Sequence, residues 1–187
     1  MLFRSTAKQV EITYVQGGGA RRVKARKCIL ACYLSVIPHL CPELPKFQRE
    51  ALGRTIRMPL VSVNVLVSNW RAFEKLRIYA AYCPGSYFSD VRLTYPLRFE
   101  DYESARTTDE PMTVHMYRIP LPGELSAVQQ LRAGRHELLG TTFEEFERKI
   151  RQQLGTMLGE GGFDPARDIK AITINRWPHG YATGIDT

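Results

Sequence analysis

Residues 9–33 read QVEITYVQGGGARRVKARKCILACY, and how that run divides decides the fold. Val10, Ile12 and Tyr14 alternate with Glu11, Thr13 and Val15, the period of two expected of a strand with one covered face. Gly17, Gly18 and Gly19 follow, residues able to take the positive φ of a tight turn. Ala20 to Arg26 returns as the second arm of a hairpin. From Lys27 to Tyr33 the pattern changes. Cys28, Ile29, Leu30, Ala31 and Cys32 are apolar at successive positions, which predicts a strand buried on both faces in a layered sheet. In that setting Cys28 and Cys32 act as small hydrophobes and are expected as buried free thiols, with a disulfide as the alternative.

Working outward, Pro38, Pro42 and Pro45 punctuate a crossing segment. Pro45 suits the first turn of a short helix, Lys46 to Arg54, with Phe47, Ala51 and Leu52 expected inward. Leu60 to Val67 is strongly β-branched and reads as a core strand. Asn69 to Phe73 turns away from it. Short strands are expected between residues 78 and 118, of which Thr113 to Tyr117 is the clearest. Pro120, Pro122, Gly123 and Gly134 give residues 120–134 the look of a loop. Phe143, Phe146, Ile150, Leu154 and Leu158 recur at helical spacing, and Thr142 with Glu145 forms a capping box, so a helix is predicted over 143–158. Gly159, Gly161 and Gly162 end it. Asp168 to Asn175 is the final strand, with Ile169, Ala171 and Thr173 on one face and Ile172 and Ile174 on the other. No internal repeat or low-complexity segment appears.

A chain of 187 residues can bury a real core, and its 44% hydrophobic and 24% charged residues are ordinary for a folded soluble protein. No apolar run approaches the roughly 18 residues that cross a bilayer. Met1 to Ser5 lacks the charged start and apolar stretch of a signal peptide. The net charge of +7 invites a nucleic-acid reading. Yet Arg21, Arg22, Lys24, Arg26 and Lys27 lie on a hairpin arm, where a solvated strand face accounts for them, and no nucleic-acid module is visible. Cys28, Cys32, Cys41 and Cys83 lack the paired spacing of a zinc site, so no metal is expected.

A dinucleotide-binding loop needs a strand, a Gly-x-Gly-x-x-Gly turn and then a helix, so that backbone N–H groups meet the pyrophosphate. Gly17 to Gly19 joins two strands, and Gly159 to Gly162 follows a helix, so neither has the required setting. His39, His115 and His136 stand alone and read as surface or hydrogen-bonded core histidines. Ser35 and Ser62 lack a nucleophile elbow. Glu144, Glu145 and Glu147 favour a helix N-terminus. Trp177-Pro178-His179-Gly180-Tyr181 is a different case. Two aromatics and an imidazole share a constrained turn just past a buried strand, either as a site or as an aromatic plug on the sheet end.

The hairpin with Cys28-Ile29-Leu30-Ala31-Cys32 resembles the corresponding stretch of flavin-dependent amine oxidases. Five further stretches resemble spermidine dehydrogenases within that group: Ala31 to Tyr33, Ile37 to Pro45, Asn69 to Leu76, Gly161 to Asp168 and Asn175 to Ala182. The resemblance implies part of an FAD-binding Rossmann-type domain (1–33), a mixed-sheet substrate domain with flanking helices (34–176) and a segment returning to the flavin domain (177–187). It implies FAD taking a hydride from the carbon beside an amine, such as a polyamine, with the imine then hydrolysed. Trp177, His179 and Tyr181 would lie at the substrate, His179 as proton acceptor, and Ala31, Cys32 and Tyr33 at the flavin. Haem accompanies this group, although no Cys-x-x-Cys-His motif stands in the chain. Relatives can carry export signals, which suggests a periplasmic parent, with a cytoplasmic one as the alternative. The chain reads as an interior piece, expected to be inactive by itself. The electron acceptor and the particular amine stay open. Competing readings are a basic β-rich module for an acidic partner and a remnant without function.

Overall fold

In a computed structural model we describe residues 2–6, 8–95 and 97–181, which form two compact units divided between Ile56 and Arg57. In the first unit β1 (Leu2–Ser5), β2 (Val10–Gln16) and β3 (Gly19–Ala25) make an antiparallel sheet in that order. The hairpin turn forms as expected, with Gly17 and Gly18 at φ 59° and 77°. Val10 is buried, while the side chains of β3 are solvated and Arg22 and Lys24 pair with Glu11 across the ladder. The strand expected over Lys27 to Tyr33 is absent. The segment is irregular, Ile29 is 92% exposed, Cys32 is exposed and Cys28 half-buried. An apolar strand needs hydrogen-bonded neighbours and cover on both faces, and this run has no ladder partner among the described residues. Two short helices follow, α1 (Ile37–Leu40) and α2 (Lys46–Gly53). The latter was foreseen, but Phe47 is 70% exposed and Ala51 is also exposed, so only Leu52 is partly covered.

The second unit is built on a five-stranded sheet. Its strands are β4 (Leu60–Val67), β5 (Ala80–Tyr82), β6 (Asp90–Leu93), β9 (Met112–Arg118) and β10 (Ile169–Trp177), in the order β10-β4-β9-β6-β5. A small ribbon, β7 (Arg98–Phe99) with β8 (Tyr102–Glu103), lies between β6 and β9 in the chain. Every pairing is antiparallel, so the expected mixed sheet is corrected to an antiparallel one. Helix α3 (Arg71–Lys75) turns away after β4.

The predicted helix α5 (Phe143–Leu158) is present with its capping box: Glu145 N–H donates to Thr142 Oγ1 at 3.2 Å and Thr142 N–H to Glu145 Oε2 at 3.1 Å. Its stripe of Phe146, Ile150, Leu154 and Leu158 is buried together with Val61, Val63, Val65 and Val67 of β4 and Val114 and Met116 of β9. Each such side chain contributes about 1.5–3 kcal/mol on burial. Phe143, at the start of the stripe, is half-exposed.

Two expectations fail here for identifiable reasons. Much of the supposed loop over 120–134 belongs to α4 (Ala127–Gly140), whose N-terminus is closed by Ser126 N–H and Oγ both donating to Gln129 Oε1, at 3.1 and 2.8 Å. Gly134 is in that helix because a Cβ there would overlap the carbonyl oxygen of Pro120. In β10 the register shifts between Ile169 and Ala171, so Ile169 shares the covered face with Ile172 and Ile174 while Ala171 and Thr173 are exposed. The strand also runs two residues further than expected, to Trp177. Where α6 (Pro165–Asp168) hands over to β10, the carboxylate of Asp168 is 2% exposed and accepts from Arg167, Asn69 and the backbone N–H of Asp164. Those partners, Arg167 first, hold its pKa at about 2.

Two outcomes follow from these contacts. Alanine normally beats glycine in a helix by about 1 kcal/mol, yet Gly134→Ala should destabilise by about 1–3 kcal/mol through overpacking, whereas Gly140→Ala, with open space around it, should be neutral or stabilising. Urea titration of both variants checks this. Asp168 stabilises fully above its unfolded pKa and loses that contribution as pH falls toward about 2. Asp168→Asn should therefore cost roughly 2 kcal/mol at pH 7 and flatten acid unfolding between pH 4 and 2.

Candidate functional site

The alternation that buries the odd-numbered valines of β4 turns Leu60, Ser62, Asn64 and Leu66 to the opposite face. On β9 the same logic puts Thr113, His115 and Tyr117 opposite Val114 and Met116. Register then aligns rows of polar side chains across this second face. Asn175, Ser62, Tyr117 and Asp90 form one row, and Thr173, Asn64, His115 and Arg92 the next.

At one end of these rows the turn after β10 folds over the sheet. Gly180 N–H donates to the Met58 carbonyl at 2.8 Å, and Met58 N–H donates to the Tyr181 carbonyl at 2.9 Å. Gly180 fits because even a Cβ would stand 3.0 Å from Leu60 Cβ and 3.1 Å from the Met58 oxygen. The strapped turn closes a cleft of about 250 Å³ lined by Leu60, Ser62, Tyr117, Trp177, Gly180 and Tyr181. Burial and a hydrogen bond with Tyr181 push the Tyr117 phenol above its ordinary pKa, so it stays protonated. The cleft thus offers three aromatic rings and the hydroxyls of Ser62, Tyr117 and Tyr181 without a charged side chain, a setting for an organic cation.

One row along, His115 Nδ1 lies 2.9 Å from Asn64 Oδ1 and its ring centroid 5.3 Å from that of Tyr117. Burial, then the Arg92 guanidinium, lowers its pKa, with Asp90 opposing. Arg92 Nε donates to Asp90 Oδ1 at 2.7 Å, and a second bond from the same guanidinium reaches Oδ2.

Of the residues singled out from sequence, Trp177 and Tyr181 meet in the cleft. His179 does not line it. Its pKa is lowered by burial and by Arg135 and Arg57, and Arg135 reaches the Arg57 carbonyl at 3.4 Å. Ala31, Cys32 and Tyr33 are exposed in the first unit. Near them in the chain Cys41 is buried, which raises its thiol pKa, helped by Glu43, Cys28 and Cys32. Sequence reading missed Tyr117, Ser62, Asn64 and His115 as site residues, although polar residues alternating with buried valines in a core strand were the available signal. A larger hollow of about 450 Å³ beside Cys83, Tyr87 and Lys149 is a poorer candidate. The guanidinium of Arg118 already lies 4.2 Å from the Tyr87 ring centroid. Among the described residues no cluster of three or more His, Cys, Asp or Glu could hold a metal ion, and no helix is long and apolar enough to cross a membrane.

No family model and no curated protein matches the chain. Solved structures do. A putrescine oxidase double mutant from a redesign of cofactor binding superposes with TM-score 0.61 at 14% identity, over 97% of this chain and 36% of that one. Wild-type putrescine oxidase bound to putrescine gives 0.60 at 15%, with the same coverage. Cyclohexylamine oxidase from Brevibacterium oxydans IH-35A gives 0.58 at 14%, over 94% of this chain and 33% of that one. The fold is one shared with amine oxidases. The chain spans about a third of the length of these amine oxidases.

Because the folded pKa of His115 lies below its unfolded value, protonation favours the unfolded chain. The stabilisation is complete above about pH 6.5 and declines as pH falls below it. The urea midpoint should be lower at pH 5.5 than at pH 7.5, and the difference should shrink in His115→Gln. An unchanged difference would show that other groups dominate.

Proposed function

We propose that this chain is the amine-receiving portion of an FAD-dependent oxidoreductase that oxidises the C–N bond of a small amine. The observation that carries the reading is the cleft of Tyr117, Trp177 and Tyr181 at the end of an antiparallel sheet. Likeness of fold to putrescine and cyclohexylamine oxidases over nearly the whole chain supports it. The finer reading, a polyamine such as spermidine as substrate, rests on the sequence stretches that resemble spermidine dehydrogenases. Haem has no support among the matched structures and is not part of the proposal.

Trp177 and Tyr181 stay at the substrate in this reading, as walls for an ammonium group, and Tyr117 joins them. His179 is assigned a supporting part, holding the turn beside Arg57 and Arg135. FAD belongs to the complete enzyme in this reading. Its pyrophosphate calls for backbone N–H groups at a helix N-terminus reached from a strand. Gly17 and Gly18 turn between β2 and β3, and Gly159 to Gly162 follow α5, so the described residues do not fit the phosphates. A basic module for an acidic partner is not favoured, since Arg22 and Lys24 are already paired with Glu11.

Calorimetric titration of the chain with cyclohexylamine tests the cleft. Binding should be measurable, and Trp177→Ala should weaken it about two- to fivefold, the equivalent of a cation–π contact at a half-exposed ring. Unchanged affinity in that variant, or no binding by the parent chain, would refute the reading.

A further inference from the structure

The row beside the cleft has a feature that binding of one ammonium group leaves unused. Asn64 Oδ1 can only accept, so the 2.9 Å contact to His115 requires that Nδ1 carry the proton. In the neutral imidazole Nε2 is then left with a lone pair. Among the described residues no second hydrogen bond reaches the His115 ring, and Nε2 is not a buried orphan. The groups facing it are Asn64 on β4, Tyr117 on its own strand, and Arg92 with Asp90 on β6. Arg92 is tied to Asp90 through two hydrogen bonds, and the carboxylate offsets part of the guanidinium's charge at the ring, where Arg92 still acts more strongly than Asp90. A lone pair in this setting is an acceptor for an N–H donor lying on the sheet.

Distance gives the acceptor a meaning. His115 and Tyr117 are two residues apart on one strand, a rise of about 6.8 Å. That is close to the reach of a short alkyl chain carrying nitrogen at both ends. One nitrogen set among Tyr117, Trp177 and Tyr181 would place the other over Asn64 and His115.

Resting on the functional reading above, we propose that Asn64 and His115 form a second nitrogen-binding position, which selects amines with two nitrogens separated by a short alkyl spacer over monoamines. Asn64 positions the ring, and His115 Nε2 accepts the hydrogen bond from the distal nitrogen. The lowered pKa of His115 keeps that acceptor available at neutral pH. Bulk electrostatics work against such a preference, since a chain of net charge +7 repels a dication more than a monocation. A preference for the diamine would therefore have to come from the site.

The test compares putrescine with butylamine on the whole chain by calorimetry at pH 7.5. Putrescine should bind at least tenfold more tightly. His115→Ala should abolish the difference, bringing the affinities for putrescine and butylamine together. In the parent chain, the His115 Nε2 NMR resonance should move with putrescine and stay with butylamine, a readout that does not depend on the variant folding. Equal affinities for the two amines would overturn this inference while leaving the functional reading standing. So would a diamine preference that survives in His115→Ala, or an Nε2 resonance indifferent to putrescine. Absence of binding by either amine would overturn both.

Discussion

Everything in the second unit depends on one strand keeping its two faces apart. Val61, Val63, Val65 and Val67 of β4 are sealed against α5, so Ser62 and Asn64 must point the other way. The core fixes the register of β4 with β9 and β10, and that register brings Tyr117, His115 and Trp177 into rows with them. A slip of one residue would expose the valines and bury the polar set, which makes the arrangement of the site a by-product of core packing.

Much of this could be read from the sequence, and what escaped shares a cause. The hairpin around Gly17 and Gly18, strand β4, strand β9 and helix α5 with its capping box all follow from local periodicity and local chemistry. Helix α4 escaped because Gly134 and the prolines before it look like loop signals, whereas Gly134 answers a contact with Pro120 that only the folded chain makes. The Ser126–Gln129 box was the local cue. Lys27 to Tyr33 misled in the opposite direction, since apolar composition shows that a segment could be buried but cannot supply the neighbour that buries it.

The site divides along the same line. Trp177 and Tyr181 were visible as an aromatic turn beside Pro178 and Gly180, an unusual local grouping. Tyr117, Ser62, Asn64 and His115 are ordinary strand residues whose value comes from register. His115 reads from sequence as a surface or hydrogen-bonded core histidine, and it stands half-buried and hydrogen-bonded on the face opposite the valines. Its partner Asn64 lies far off in sequence, and that pairing turns a structural histidine into one with a fixed tautomer. His179 shows the converse, being close in sequence to the aromatics but standing with two guanidinium groups.

Among the described residues β10 lies at one edge of the five-stranded sheet, a nine-residue strand with one side of its backbone unpaired. Long edges of this kind recruit strands indiscriminately unless something interferes. Here the register shift after Ile169 bends the entry to the edge, and Lys170 and Arg176 put a cation near each end. A copy of the same edge would bring the same bend and the same charges, so self-stacking is opposed by both shape and sign. A strand that docked there would have to be short or bulged to match, and acidic near its ends.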